Sequence, residues 1–361
     1  MKVTPHKSSD TPQAIGEAAE KLVRDGLVIS SAAVFLWGQG NELNILFEPE
    51  KLSVADLKPY EGSGLNVGNF FYPAFGPDFF SEVERRTAAW NAKIAEMDAH
   101  LMRITRPEDI DRAVATGRLG IILGAHSCDH FRRVDDVDYL HRMGLRLSLL
   151  TSDFQGMIGA GFREPKGSGL TEFGKQVVAR MNKLGVIIDL SHANEETIED
   201  VCRVTTKPVI ISHGNTRAIR QSERNESDEV IAAIGQTGGV FCVAPMSVLV
   251  SEEDPTTIEH YIDQISHAVK VAGIDHVGIG HDGPIQGWDA LPPQNMLPLP
   301  PFLRTPGKQR SLDIKEVSNT RGFFNVAAAL LRRGYSETDT AKILGGNLNR
   351  AFRDILAGEQ Q

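Results

Sequence analysis

Cysteine is scarce: Cys128, Cys202 and Cys242 are the only three in 361 residues. They are far apart and odd in number, which argues against a disulfide framework or a thiolate zinc cluster and leads us to expect a reducing, cytoplasmic setting. No apolar run approaches the roughly 18 residues that span a bilayer, and MKVTPHKSSDTPQ at the start lacks the apolar core of a secretion signal, so no membrane association is expected. A basic excess is missing too. The formal charge of −9 and a pI near 5.7 disfavour nucleic acid and anionic lipid surfaces as partners. Finally, no Gly-rich phosphate loop follows the first strand-like run, which counts against a nucleotide-binding open sheet.

What the chain has instead is regular alternation. LVISSAAVF, GLNVGNF, LGIIL, LRLSLL, GVIIDL, PVIIS, GGVFCV and HVGIGH are eight short β-rich runs, mostly separated by helical patterns. Helices are expected at 14–25, 79–104, 134–143, 171–184, 194–203, 227–236 and 256–271. Eight strands with helical crossovers, in a chain that is 41% hydrophobic and 24% charged, predict a (β/α)8 TIM barrel. No linker divides it, so residues 1–361 are read as a single barrel domain with an N-terminal helical extension. A proline-rich stretch at about 288–307 reads as a long loop suited to a lid or a subunit contact.

The most informative stretch is GVIIDLSHANEETIEDVCRVTTKPVIISHGN, residues 185–215, in which two buried runs each lead into a histidine, His192 and His213. Consecutive parallel strands present their C-terminal ends on one rim, so the two imidazoles should meet there. In HVGIGHDG, Asp282 lies just past the last strand and returns to the same mouth in a closed barrel. Two imidazoles and a carboxylate suit zinc while leaving a position for water, and a carboxylate beside that water can accept its proton. His192, His213 and Asp282 are therefore the expected metal ligands. Alternation turns His281 to the other face, as a structural residue. His126 and His130 are weaker candidates because Gly124 makes their segment read as a loop. Asp189, inside an apolar run, is expected to accept hydrogen bonds or to orient a histidine. Arg224 in SERNESDE could clamp a carboxylate or stabilise an oxyanion, although by composition alone it reads as a surface arginine at a helix start.

GLTEFGKQVVARMNKLGVIIDLSHANEETIEDV, KPVIISHGNTRAI, ERNESDE, TGGVFCV, HVGIGHD, RRGYSE and ILGGNLNR together resemble the membrane dipeptidase (renal dipeptidase-like) family of the amidohydrolase superfamily, from about Gly117 onward. The resemblance implies a (β/α)8 barrel, a homodimer and a zinc centre that hydrolyses dipeptides and related amides. It implies metal ligation by His192 and His213, ligation and proton acceptance by Asp282, and a catalytic and substrate-binding role for Arg224. Ser152 and Asp153 join Arg224 as expected contacts of a small-molecule substrate. The chain departs from the family pattern at three places. Ser30 and Ser31 stand where a His-x-Asp pair belongs, Leu123 where a bridging glutamate belongs, and Ser152 where a further histidine belongs. A second divalent ion would lack the anionic ligands that offset its desolvation, so one zinc is expected rather than two. The expected reaction is hydrolysis of an amide or peptide bond in a small carboxylate-bearing substrate. The alternatives are a metal-dependent lyase or decarboxylase on the same barrel, or a catalytically inactive homologue.

Overall fold

The structure, a computed structural model, describes residues 11–33, 48–73, 78–126, 129–164, 168–290 and 310–358. Its strands are β1 (Ile29–Ala33), β2 (Val67–Pro73), β3 (Leu101–Arg103), β4 (Leu119–His126), β5 (Leu147–Leu149), β6 (Ile187–Asp189), β7 (Ile210–Gly214), β8 (Val240–Val243) and β9 (Val277–Gly283). All pairings are parallel, in the order β2-β1-β9-β8-β7-β6-β5-β4, and β2 pairs back onto β4 to close an eight-stranded barrel. The eight expected runs are the eight ring strands. β3 is an addition that pairs with β4 alone. It corrects the helix expected to run to residue 104, which ends at Glu96. Leu101 and Met102 fit a helical stripe as well as a strand, and the open edge at Leu119–Ile121 decides between them.

Strand alternation divides the apolar residues into two layers. Ile29, Val67, Ile122, Leu147, Ile187, Ile210 and Val240 fill the lower barrel interior with Leu348, Phe352 and Ile355 from the helix Asn347–Leu356, which plugs the bottom. Ile121, Leu123, Ile188, Ile211, Phe241 and Ile279 face outward into the layer shared with the crossover helices. Three of the crossover helices begin with a polar cap. Thr171 accepts from Gly174 N, Asn194 from Thr197 N and Ser227 from Val230 N, so the helices start just past the loops that carry the mouth residues.

The N-terminal helix Pro12–Arg24 lies against the helix Gly322–Arg332, with Glu20 paired to Arg321 and the Arg24 guanidinium 5.4 Å from the Phe324 ring centre. Among the described residues no helix is long and apolar enough to cross a membrane. Most of the expected proline-rich loop lies outside the described residues. Its flanks are joined by Asp313, which accepts from Trp288 N at 2.9 Å and from Asp289 N at 2.7 Å.

Candidate metal centre

Three strands deliver histidines to the C-terminal mouth. β4 runs through Gly124 and ends at His126, so alternation from inward-facing Ile122 puts His126 on the interior side. His192 follows β6 in the left-handed backbone region at φ 68°, a conformation that costs energy for a non-glycine residue and is concentrated at functional sites. On β7 the register with β8 shifts between Ile211 and Gly214; such an irregularity re-aims a side chain, here His213. One nitrogen from each of His126, His192 and His213 can be chosen so that all three lie within 4.8 Å of one another. The rings are 5.1–5.6 Å apart, centre to centre.

The hydrogen bonds behind two of these rings decide their tautomers. His192 Nδ1 meets Asp153 Oδ1 at 2.8 Å, and a carboxylate can only accept, so Nδ1 carries the proton. His213 Nδ1 meets Ser212 Oγ at 2.8 Å. That hydroxyl donates to Asp189 Oδ2 and therefore accepts from His213. Asp189 is itself buried and takes further bonds from Ser191 N, Ser191 Oγ and Ser212 N at 2.8–3.0 Å, the orienting role expected of a carboxylate inside an apolar run. With the proton on Nδ1 in each ring, Nε2 carries the lone pair, and the two Nε2 atoms face each other at 3.0 Å. Burial pushes the His126 imidazole down to about 4 and those of His192 and His213 well below the usual histidine range, with the Arg224 charge acting in the same direction. Neutral imidazoles whose lone pairs converge at that separation repel unless a cation lies between them.

Asp282, also left-handed at φ 49°, places Oδ1 3.9 Å from His213 Nε2. Trp288 Nε1 donates to its carbonyl at 3.2 Å. Burial raises the Asp282 carboxyl to about 7, although Arg224 opposes the shift. Arg224 is 4% exposed rather than a surface residue. It donates from Nη2 to His213 O at 2.9 Å, pairs with buried Glu226 at 3.4 Å and lies 5.8 Å from the Phe162 ring centre.

The described residues thus bring His192, His213, Asp282, Arg224 and Asp153 to one mouth. His126 stands with His192 and His213 in the group of three histidines whose nitrogens converge, and Asp282 stands beside that group, its Oδ1 3.9 Å from His213 Nε2. The segment expected to be a loop is strand as far as His126, and the overlooked signal is the regular run LGIILGAH, which ends on a histidine as the other two runs do. Asp153, expected on the substrate, has its carboxylate on His192. Ser152 is exposed beside it. His130 is buried, with Nε2 3.2 Å from Ser148 Oγ. His281 packs its ring against Phe323, centres 5.2 Å apart, outside the cluster.

The departures from a two-metal site also have a physical form. Ser31 Oγ donates to Ser212 O at 2.6 Å and Ser30 Oγ to Ser31 O at 3.1 Å, so both hydroxyls are committed to backbone carbonyls. Leu123 faces the outer layer.

Fold and mouth together define a (β/α)8 barrel of the metal-dependent hydrolase type, with an incomplete histidine triad in place of a full dinuclear ligand set. A family model described as Membrane dipeptidase (Peptidase family M19) matches residues 20–294, and the chain belongs to that family. The match starts well before Gly117, where the motif resemblance begins. Dipeptidase tcpJ of Claviceps purpurea is 26% identical over 268 residues, which is 73% of this chain but 57% of that relative, so the chain spans little more than half its length. An amidohydrolase from Pseudomonas aeruginosa is 26% identical with a TM-score of 0.78, covering 94% of this chain and 99% of the other. A metallopeptidase from Rhodobacter sphaeroides, solved with a phosphinate mimic of the dipeptide L-Ala-D-Ala, has the same fold at 19% identity, with a TM-score of 0.70 and coverage of 91% and 99%.

Proposed function

We propose that the protein is a metal-dependent hydrolase that cleaves an amide bond in a small, carboxylate-bearing, dipeptide-like substrate, using one metal ion held by His126, His192 and His213. The observation that carries this reading is the approach of His192 Nε2 and His213 Nε2 to 3.0 Å, with the third imidazole beside them. Three neutral imidazoles suit zinc, the metal that the family resemblance favours. The residues fit one ion and not two, because Ser30, Ser31 and Leu123 offer no free donor to a second.

A divalent ion at this place supplies Lewis acidity and lowers the pKa of water. The chain's own groups do the rest. Asp282, beside His213, takes a proton from the attacking water and returns it to the leaving amine. Arg224 receives the substrate carboxylate or the developing oxyanion, held in place by His213 O and Glu226. Phe162 offers an apolar wall next to His192, ring centres 6.0 Å apart. The same reading includes one barrel domain over residues 1–361, a homodimer, as the family resemblance implies, and a cytoplasmic setting, which the free thiols of Cys202 and Cys242 support.

Metal content and product analysis test the proposal together. Purified protein should carry one zinc per chain, with His126→Ala, His192→Ala and His213→Ala each losing it, and hydrolysis of a dipeptide panel in 18O-water should place solvent oxygen in the new carboxylate. A His126→Ala variant that keeps full zinc affinity removes His126 from the ligand set. A product free of solvent oxygen turns the reading to lyase chemistry.

A further inference from the structure

The carboxylate of Asp153 has no role among the proposed chemical steps, yet the fold goes to some length to hold it on His192. It lies in the loop after β5, whereas His192 lies in the loop after β6. Backbone hydrogen bonds stitch the two loops together: Phe162 N to His192 O at 2.8 Å, Asn194 N to Ala160 O at 3.0 Å, and an antiparallel bridge between Gly161 and Ala193. The β5 loop then folds back on itself, with Arg163 N donating to Asp153 O and Gly161 N to Phe154 O, both at 3.0 Å. A Cβ at Gly161 would lie 1.8 Å from Ser152 O and 2.4 Å from Asp153 C, so the backbone approach at that point requires glycine. The outcome is a 2.8 Å contact between Asp153 Oδ1 and His192 Nδ1, two side chains only 24% and 16% exposed.

We propose that Asp153 is a positioning residue of the metal centre: its carboxylate fixes His192 as the Nδ1–H tautomer, aims Nε2 at the ion and places negative charge behind a ligand set of neutral imidazoles. The inference rests on the single-metal reading. A carboxylate on the far nitrogen of a ligating histidine orients the ring and raises its basicity, and removing such a partner weakens metal binding about 10- to 100-fold. His213 has an equivalent support through Ser212 and Asp189, built from barrel strands. Asp153 serves the same end from a loop, at a barrel mouth where Ser30, Ser31 and Leu123 contribute no anionic ligand.

Metal-free wild type, Asp153→Asn, Asp153→Ala and His213→Ala are titrated with zinc against a competing chelator. The wild type should bind one zinc per chain, Asp153→Asn about 10-fold more weakly and Asp153→Ala up to about 100-fold more weakly. KM for a hydrolysed dipeptide at saturating zinc should stay at the wild-type value. Nitrogen-15 NMR of the metal-free protein should show His192 as the Nδ1–H tautomer in wild type and as a tautomer mixture in Asp153→Ala. Melting temperatures establish that each variant is folded, and Asp153→Asn keeps the side-chain shape should Asp153→Ala fail to fold. Wild-type zinc affinity in both Asp153 variants, with none in His213→Ala, overturns the role of Asp153 and leaves the metal-centre reading standing. A raised KM at unchanged zinc affinity makes Asp153 a substrate contact and overturns the role as well. A wild type that binds no zinc overturns both.

Discussion

At the scale of single residues, the mouth concentrates groups held away from their ordinary ionisation. Glu226 is the clearest case away from the histidines: burial raises its carboxyl to about 7, with Arg224 and Arg217 opposing the shift and Glu195 adding to it. The sign of the linkage follows. Between the unfolded carboxylate value of about 4.3 and about 7, the unfolded state has released a proton that the folded state keeps, so this group's contribution is fully present below that window and is lost as pH rises through it. Glu226→Gln, which cannot ionise, should therefore lose less stability than wild type between pH 5 and pH 8. Urea midpoints of the two proteins at both pH values measure the difference, and parallel declines would show that Glu226 is ionised throughout.

At the scale of elements, function depends on where strands end and on what closes the barrel below them. β4 ends on a histidine, β6 ends just before one and β7 carries one next to its last residue, and the loops after β5 and β6 are joined by backbone bonds, so the cluster is held by sheet and loop together. Below it, the helix Asn347–Leu356 inserts Leu348, Phe352 and Ile355 among inward-facing strand residues. Phe352→Ala should cost about 3–5 kcal/mol, the range for truncating a buried aromatic, because a cavity ringed by sheet cannot collapse. Denaturant unfolding measures it, and a cost under about 1 kcal/mol would mean that the helix packs loosely. This plug was not foreseen. RRGYSE and ILGGNLNR are legible as family motifs, but nothing in their apolar spacing says that the helix lies across the barrel's end and not along its side.

At the scale of the whole molecule, one metal ion should tie together three strands far apart in sequence, from His126 to His213. A ligand that binds only the folded state stabilises it by about 2.7 kcal/mol at 100 times its Kd. Chelator treatment should thus lower the melting temperature reversibly, with zinc restoring it at one equivalent. A melting temperature that does not respond to zinc, in protein that is otherwise folded, would speak against a built metal site.

Much of the architecture was legible in the chain itself. Short β-rich runs cannot bury both faces unless helices cover one side and other strands the opposite side, so the strand count and the alternation point to a closed parallel barrel. His192, His213 and Asp282 could be placed at one mouth because parallel strands share a direction. What tertiary structure alone decided was which side chains face inward and what stands behind them. Leu123 and His126 lie three residues apart on one strand, and only the fixed pleat of β4 turns the first to the helices and the second to the centre. Asp153 and His192 are 39 residues apart. Their contact comes from two loops stitched through backbone amides, which every residue but proline carries, so no side-chain pattern in the sequence announces it.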